Sequence, residues 1–277
     1  MPLTKSYKSA RPLWGTEPVR QTGRVEFRRS RAIVPVLEVL PEAGSTNDVL
    51  RERAGDLPDL AVLVTDNQTG GRGRLGREWV TPPGTALAIS VLLKPVGLPS
   101  AAYGWFPLLA GLAMSRALGP LVPGGVQVKW PNDVLIEGDK VCGILAELLP
   151  DLSGLIIGAG VNLAQTREQL PTETSTSLAL AGADGVDADA VLSAYLIQLS
   201  TVYREFLAAG GDPIRSALRD EVVEACHTVG RSVRVQLPSG DDLLGTAAGI
   251  DEDGRLIVES DAGRTAVAAG DVTHLRY

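Results

Sequence analysis

Apolar positions along the chain fall into short runs punctuated by glycine, proline and polar clusters. Runs at 32–40, 60–65, 85–93, 126–130, 133–136, 140–149 and 155–163 have the length and composition of strands. Glu137-Gly138-Asp139 joins two of them as a hairpin turn. Gly44-Ser45-Thr46 opens a helix that reaches Ala54, with serine as a natural cap. Two more helices are predicted at 187–209 and 213–226, the second capped by Asp212 and opened by Pro213. Between strand and helix, residues 164–177 are polar and are expected to be mobile. At Gly230 the texture changes. Five short β-rich runs (233–237, 243–250, 255–259, 265–268 and 272–275) alternate with turn signals, which predicts a small barrel.

One stretch resembles a membrane span, because residues 95–115 carry no charge and a span needs about 20 apolar residues. Pro95, Pro99, Pro107, Gly97, Gly104 and Gly111 break it. It reads instead as a loop followed by a buried helix over 101–118, capped by Ser100 and kinked near Pro107. The 277 residues carry 26 Lys+Arg and 33 Asp+Glu, a net charge of −7. The charge is uneven. Residues 1–31 hold eight basic residues (Lys5, Lys8, Arg11, Arg20, Arg24, Arg28, Arg29 and Arg31) against Glu17 and Glu26, a net of +6 that leaves −13 for the remainder. This segment lacks an apolar core of the signal-peptide kind and is expected to be a solvated, partly disordered extension. Cys142 and Cys226 are the only cysteines, and His227 and His274 the only histidines. That is too little for a disulfide framework, a Cys/His zinc site or a Ser-His-Asp triad, and it points to a reducing compartment such as the cytoplasm. Aromatics at 4% argue against a base-stacking surface.

Three segments depart from what a plain core needs. In Gln68-Thr69-Gly70-Gly71-Arg72-Gly73-Arg74-Leu75-Gly76-Arg77, Gly71, Gly73 and Gly76 match the dinucleotide pattern G-x-G-x-x-G, but that pattern requires a following helix. Pro82-Pro83 forbids one here, and Arg77-Glu78 stand where a phosphate-binding P-loop needs Lys and Ser/Thr. What remains is a flexible loop whose glycines allow close backbone approach and whose arginines suit phosphate or carboxylate oxygens. A small anionic ligand fits this better than RNA. Lys129-Trp130-Pro131-Asn132-Asp133 ends a strand in polar groups, although Pro-Asn-Asp is also an ordinary turn. Lys140 heads the otherwise apolar run to Glu147, where a lysine can simply snorkel to solvent.

Together with Gly44-Ser45-Thr46-Asn47 and Gly158-Ala159-Gly160-Val161-Asn162, these segments resemble, in order and spacing, the biotin protein ligases. The resemblance covers residues 40–277. It implies an α+β fold with a central mixed β-sheet flanked by helices, like that of class II aminoacyl-tRNA synthetases and the biotin–lipoate ligases, followed by a small SH3-like β-barrel. The catalytic domain would be 32–229 and the barrel 230–277. Too few residues precede Ser45 for the winged helix of ligases that double as repressors, which implies the ligase-only type. The implied reaction activates biotin with ATP to biotinyl-5′-AMP and then biotinylates one lysine of a biotin carboxyl carrier domain, such as that of acetyl-CoA carboxylase. The resemblance assigns biotin contacts to Ser45, Thr46, Asn47, Gln68, Gly71, Arg72, Arg74, Lys140, Gly143 and Gly158. It assigns ATP or adenylate contacts to Arg74, Trp79, Lys129, Asn132, Lys140 and Asn162, and catalytic roles to Lys140, Arg74 and Asp133, the last orienting or deprotonating the acceptor lysine. Mg²⁺ would arrive on the ATP phosphates, and no residue is assigned to it. A monomer or weak homodimer without DNA or membrane partners is expected. The rival readings are a lipoate or octanoate ligase on the same fold, and a nucleic-acid binder using the basic arm.

Overall fold

The computed structural model describes residues 26–183 and 185–275. In chain order its elements are α1 (Arg28–Arg31), β1 (Leu37–Val39), α2 (Thr46–Arg53), β2 (Val62–Thr65), β3 (Gly71–Arg72), β4 (Glu78–Trp79), β5 (Ala86–Leu93), α3 (Phe106–Leu118), β6 (Val126–Lys129), β7 (Asp133–Ile136), β8 (Asp139–Leu148), β9 (Leu155–Asn162), α4 (Ala188–Ala208) and α5 (Leu218–Ala225). Seven strands form one mixed sheet in the order β1-β2-β5-β9-β8-β7-β6, with β1 and β2 parallel and the other neighbours antiparallel. The β7–β8 hairpin turns through Glu137 at φ 51° and Gly138 at φ 88°, the paired positive φ of a two-residue hairpin. Apolar α3 packs on one face of the sheet and against α4. The shorter, more polar α2 covers the other face beside a small cluster that includes Leu50, Leu63 and Ile156.

The second sheet is antiparallel, in the order β13-β12-β11-β10-β14, and comprises β10 (Ser232–Gln236), β11 (Asp242–Ile250), β12 (Leu256–Ser260), β13 (Gly263–Val267) and β14 (Asp271–His274). These five strands are the SH3-like unit expected from residue 230 onward. Its apolar face is continuous with the main core, which runs from α3 and the large sheet to Val233, Val235, Val258 and Val272. Two buried tryptophans fix the junction: Trp105 Nε1 donates to the Glu252 carbonyl at 2.7 Å and Trp130 Nε1 to the Gly254 carbonyl at 3.0 Å.

Four segments differ from expectation. The strand expected over 32–40 shrinks to β1, because a turn precedes it and Pro35 lacks a ladder donor. No kink occurs at Pro107. A 3₁₀ segment (Ser100–Trp105) precedes α3, and the proline sits in the first turn, where its missing N–H costs nothing. The helix expected from 213 begins at Leu218. Asp212 does accept from the Ile214 and Arg215 amides, but Ala217 at φ 62° ends that turn before α5 starts. Residues 164–177 are tied down: Leu170 is buried, Ser177 Oγ donates to the Gln165 carbonyl at 2.8 Å, and Arg167 reaches the Ser175 carbonyl at 2.6 Å. Of the basic segment 1–31, residues 1–25 lie outside the described residues. In 26–31 the charged residues are exposed, while Phe27 and Ser30 are buried and α1 is held by Asp189, whose carboxylate accepts from the Arg29 and Ser30 amides at 2.9 and 3.0 Å.

Candidate active site

On the face of β5, β8 and β9 that points away from α3, five of the six central positions are Gly, Ala or Ser. Ala88, Gly160 and Gly143 form one cross-strand row, and Ser90, Gly158 and Leu145 the next. Because side chains alternate along a strand, the intervening Ile89, Ile157, Ala159 and Ile144 build the core while the glycines leave a bare floor. A cavity of about 850 Å³ stands on this floor, large enough for a nucleotide-sized ligand. Two of the protein's own groups rest on it. A Cβ on Gly160 would lie 2.6 Å from the Trp79 ring, and one on Gly158 would lie 2.6 Å from Asn47 Oδ1.

The end nearest α2 is polar, nearly neutral and buried. Ser45 caps the helix, accepting from the Asp48 amide at 3.4 Å. Gln68 Oε1 accepts from both the amide and the hydroxyl of Thr46, at 2.9 and 3.1 Å. Ser90 Oγ lies 2.8 Å from Thr46 Oγ1 and 2.5 Å from Asn47 Oδ1, so its single proton serves either acceptor. Asn47 Nδ2 donates to Glu147 Oε2 at 2.7 Å. At the rim, Arg72 makes a two-pronged contact with Asp48 at 2.6 and 2.7 Å, and Arg51 reaches Glu147 at 2.9 Å. Burial works against the Asp48 charge, but hydrogen bonds from Arg72 and Arg51 hold its carboxyl below the usual range.

Toward the small sheet the character reverses. Arg74 donates to Asn132 Oδ1 at 3.0 Å and to the Gly270 carbonyl at 3.3 Å. Burial pulls its guanidinium below the usual arginine value, with Asp133 and Asp271 opposing. Arg77 pairs with Asp271, so the arginine loop is joined to the start of β14 and to Gly270 just before it. Asn132 is fixed by donating to the Ile144 carbonyl at 2.6 Å. Lys140 lies across Gly143 with Nζ 2.6 Å from Asp133 Oδ1. That oxygen is buried without a well-formed hydrogen bond, so the ammonium is the group that neutralises it. Lys129 also lines the cavity, with His227, Arg231 and His274. The imidazole centroids are 5.0 Å apart. Burial and the neighbouring Lys129, His227 and Arg231 push His274 down to about 4, and burial with Arg231 and Lys129 also lowers His227. Asn162 is spoken for on both sides: its Nδ2 donates to the Thr176 carbonyl at 2.9 Å, and its Oδ1 accepts from Gln165 at 3.1 Å. Among the described residues no group of three His, Cys, Asp or Glu is placed to hold a metal ion.

Residues 39–162 match the Biotin/lipoate A/B protein ligase family, and residues 228–275 match the Biotin protein ligase C terminal domain. The chain is 36% identical over 245 residues to the biotin–acetyl-CoA-carboxylase ligase of Mycobacterium tuberculosis, across 87% of this chain and 89% of that one. This chain belongs to the biotin protein ligases. A second ligase of that description, from Paracoccus denitrificans, is 31% identical over 243 residues, covering 84% of this chain and 98% of its own. The biotin protein ligase of Aquifex aeolicus, solved with biotin and ATP, superposes with a TM-score of 0.73 at 28% identity, over 88% of this chain and all of that one. The lipoate reading and the nucleic-acid reading are not favoured by these relatives.

In this ligase Ser45, Thr46, Asn47, Gln68, Arg72, Arg74, Trp79, Lys129, Asn132, Asp133, Lys140, Gly143, Gly158 and Asn162 all line the one cavity. Gly71 does not. It packs between the Gln68 amide and the Trp79 carbonyl, where a Cβ has no room. Arg72 faces Asp48 rather than the floor. The sequence reading missed Ser90, Glu147, Gly160 and the His227–His274–Arg231 group. Gly160 had a signal, since it repeats Gly158 two residues on in a strand. The histidines had none, because 47 positions separate them and they meet only where the small sheet docks.

Proposed function

We propose that this ligase condenses biotin with ATP and then passes the biotinyl group to a carrier lysine. The biotin carboxylate oxygen attacks the α-phosphorus and pyrophosphate leaves. The lysine ε-amine next attacks the anhydride carbonyl, forming an amide and releasing AMP and a proton. One observation carries this reading: a single cavity is neutral and hydrogen-bonding at one end, floored by glycine in the middle, and cationic at the other. A neutral ureido bicycle with an anionic tail requires that sequence of environments.

Ser45, Thr46, Asn47 and Gln68 would exchange their mutual hydrogen bonds for the ureido group. Gly143 and Gly158 would lie under the rings, and Arg72 would act from the rim through Asp48. Lys140 and Arg74 would meet the carboxylate and the α-phosphate, where preorganised charge contributes most to rate. For this Lys140 has to leave Asp133, which frees that carboxylate to receive the incoming lysine amine. Trp79 would cover the adenylate, Asn132 would set Arg74, Asn162 would read adenine through its remaining amide proton, and Lys129 would face the triphosphate. Mg²⁺ would come with ATP, held mainly by phosphate oxygens. The acceptor is a biotin carboxyl carrier domain, that of acetyl-CoA carboxylase by analogy with the relatives. The protein would work in the cytoplasm as a monomer or weak homodimer without DNA. No described helix is long and apolar enough to cross a membrane. Pyrophosphate release with ATP and either biotin or lipoate tests the reading. Biotin is expected to drive release, and release with lipoate alone would overturn it.

A further inference from the structure

We propose that His227 and His274, together with Lys129 and Arg231, form a proton-linked site that retains pyrophosphate where the catalytic sheet meets the small sheet. The proposal rests on the adenylation reading above and names where the product of that step is held.

The four residues come from three places. Lys129 ends β6, His227 and Arg231 lie in the connection after α5, and His274 ends β14. All four line the cavity, Arg231 from its exposed rim. Lys129 has no hydrogen-bond or ion-pair partner among the described residues, whereas Lys140 and Arg77 in the same cavity are each matched by a carboxylate. Arg231 is anchored through Nε to the His227 carbonyl at 3.0 Å. The charged groups acting on His274 are Lys129, His227 and Arg231, and those acting on His227 are Arg231 and Lys129, all cationic when charged. Positive groups gathered along one cleft attract a polyanion.

The rings are also held ready. His227 Nδ1 lies 2.8 Å from Gln127 Oε1, an acceptor, so Nδ1 carries the proton and Nε2 is bare. His274 Nε2 lies 3.3 Å from the hydroxyl of fully buried Thr228, which itself accepts from the Trp130 amide at 3.1 Å. Without an anion, burial and the neighbouring cations disfavour the charged form of both rings. A pyrophosphate between them would reverse the sign of the local field, so the rings would take up protons and become donors to its oxygens. Binding would then tighten as pH falls, by up to about tenfold per pH unit for each proton taken up.

Since His227 and His274 are the only histidines in the chain, their ring resonances can be followed by NMR in the wild-type protein without ambiguity. Saturating pyrophosphate is expected to raise both titration midpoints by more than one pH unit, while biotin leaves them in place. Calorimetry of pyrophosphate binding in two buffers of different ionisation enthalpy should show about one proton taken up at pH 7. A His227→Gln/His274→Gln variant should take up fewer and should lose most of the tightening between pH 8 and pH 6. Protonation of pyrophosphate itself is common to both proteins and cancels. Midpoints that ignore pyrophosphate, or no pyrophosphate binding, would overturn the site, and the NMR result stands even if the variant does not fold. Neither measurement needs turnover, so failure to make adenylate would count against the adenylation reading alone.

Discussion

At the α2 end of the cavity the polar groups are already partnered: Thr46 with Gln68, Ser90 with Thr46 or Asn47, Asn47 with Glu147, Arg72 with Asp48. At the opposite end Lys129, Arg231 and two imidazoles are gathered, and burial together with the neighbouring cations lowers both histidines. The first arrangement is hydrogen-bonded before ligand arrives and can accept a neutral group by trading one hydrogen bond for another, at small net change per bond. The second holds unrelieved repulsion that an anion removes. On the proposed reading, recognition of the bicycle would be a matter of shape and donor placement, whereas phosphate chemistry would draw on gathered charge.

The largest effect should come from the boundary between the two. Lys140→Ala is expected to lower the rate of adenylate formation by about 10²–10³, read as pyrophosphate release. The melting temperature should fall modestly, because the pair is partly exposed but its loss leaves the buried Asp133 oxygen without the ammonium that neutralises it. A wild-type rate would make Lys140 structural. Gly158→Val should act at the neutral end alone. Its side chain would displace Asn47, and overpacking of about 1–3 kcal/mol should weaken biotin binding in calorimetry while ATP binding holds. An equal loss of ATP binding would show the ends to be one unit.

Arg74→Gly should separate making the intermediate from keeping it. The loop would lose its ties to Asn132 and the Gly270 carbonyl and gain mobility. Adenylate should still form and then escape to label a bystander protein such as albumin when no carrier is present. A variant that makes adenylate yet labels only its carrier would assign retention elsewhere. The smallest effect concerns stability. In the unfolded chain His274 protonates near 6.5, whereas in the fold it does so at about 4. The unfolded state therefore binds more protons across that window, and wild-type stability should fall as pH drops from 6.5 to 4 and change no further below it through this group. His274→Gln should flatten that part of the thermal-unfolding profile. An identical slope would remove His274 from the account.

Local chemistry made most of the large sheet and the α2 cap readable. Ser45 before Thr46, the hairpin residues Glu137-Gly138 and the Asp187 cap of α4 each carry their own signal. The arginine loop and Lys129–Asp133 stood out because they serve no core. What escaped depended on tertiary partners. Pro107 looks like a kink until the 3₁₀ segment before it is known, and residues 164–177 look loose because hydrogen bonds rather than many apolar side chains hold them. Arg72 has the composition of a ligand group, and only folding brings Asp48 beneath it.

Trp79 resting on Gly160 and Asn47 over Gly158 make ligand entry an exchange rather than a filling. The glycine floor is already partly shielded from water by the protein's own groups, so a bicycle that takes their place removes less apolar surface from solvent than its own area implies. The heat-capacity change of binding, which tracks newly buried apolar surface, should be correspondingly small. The association rate should level off at the speed with which the indole and the amide swing aside.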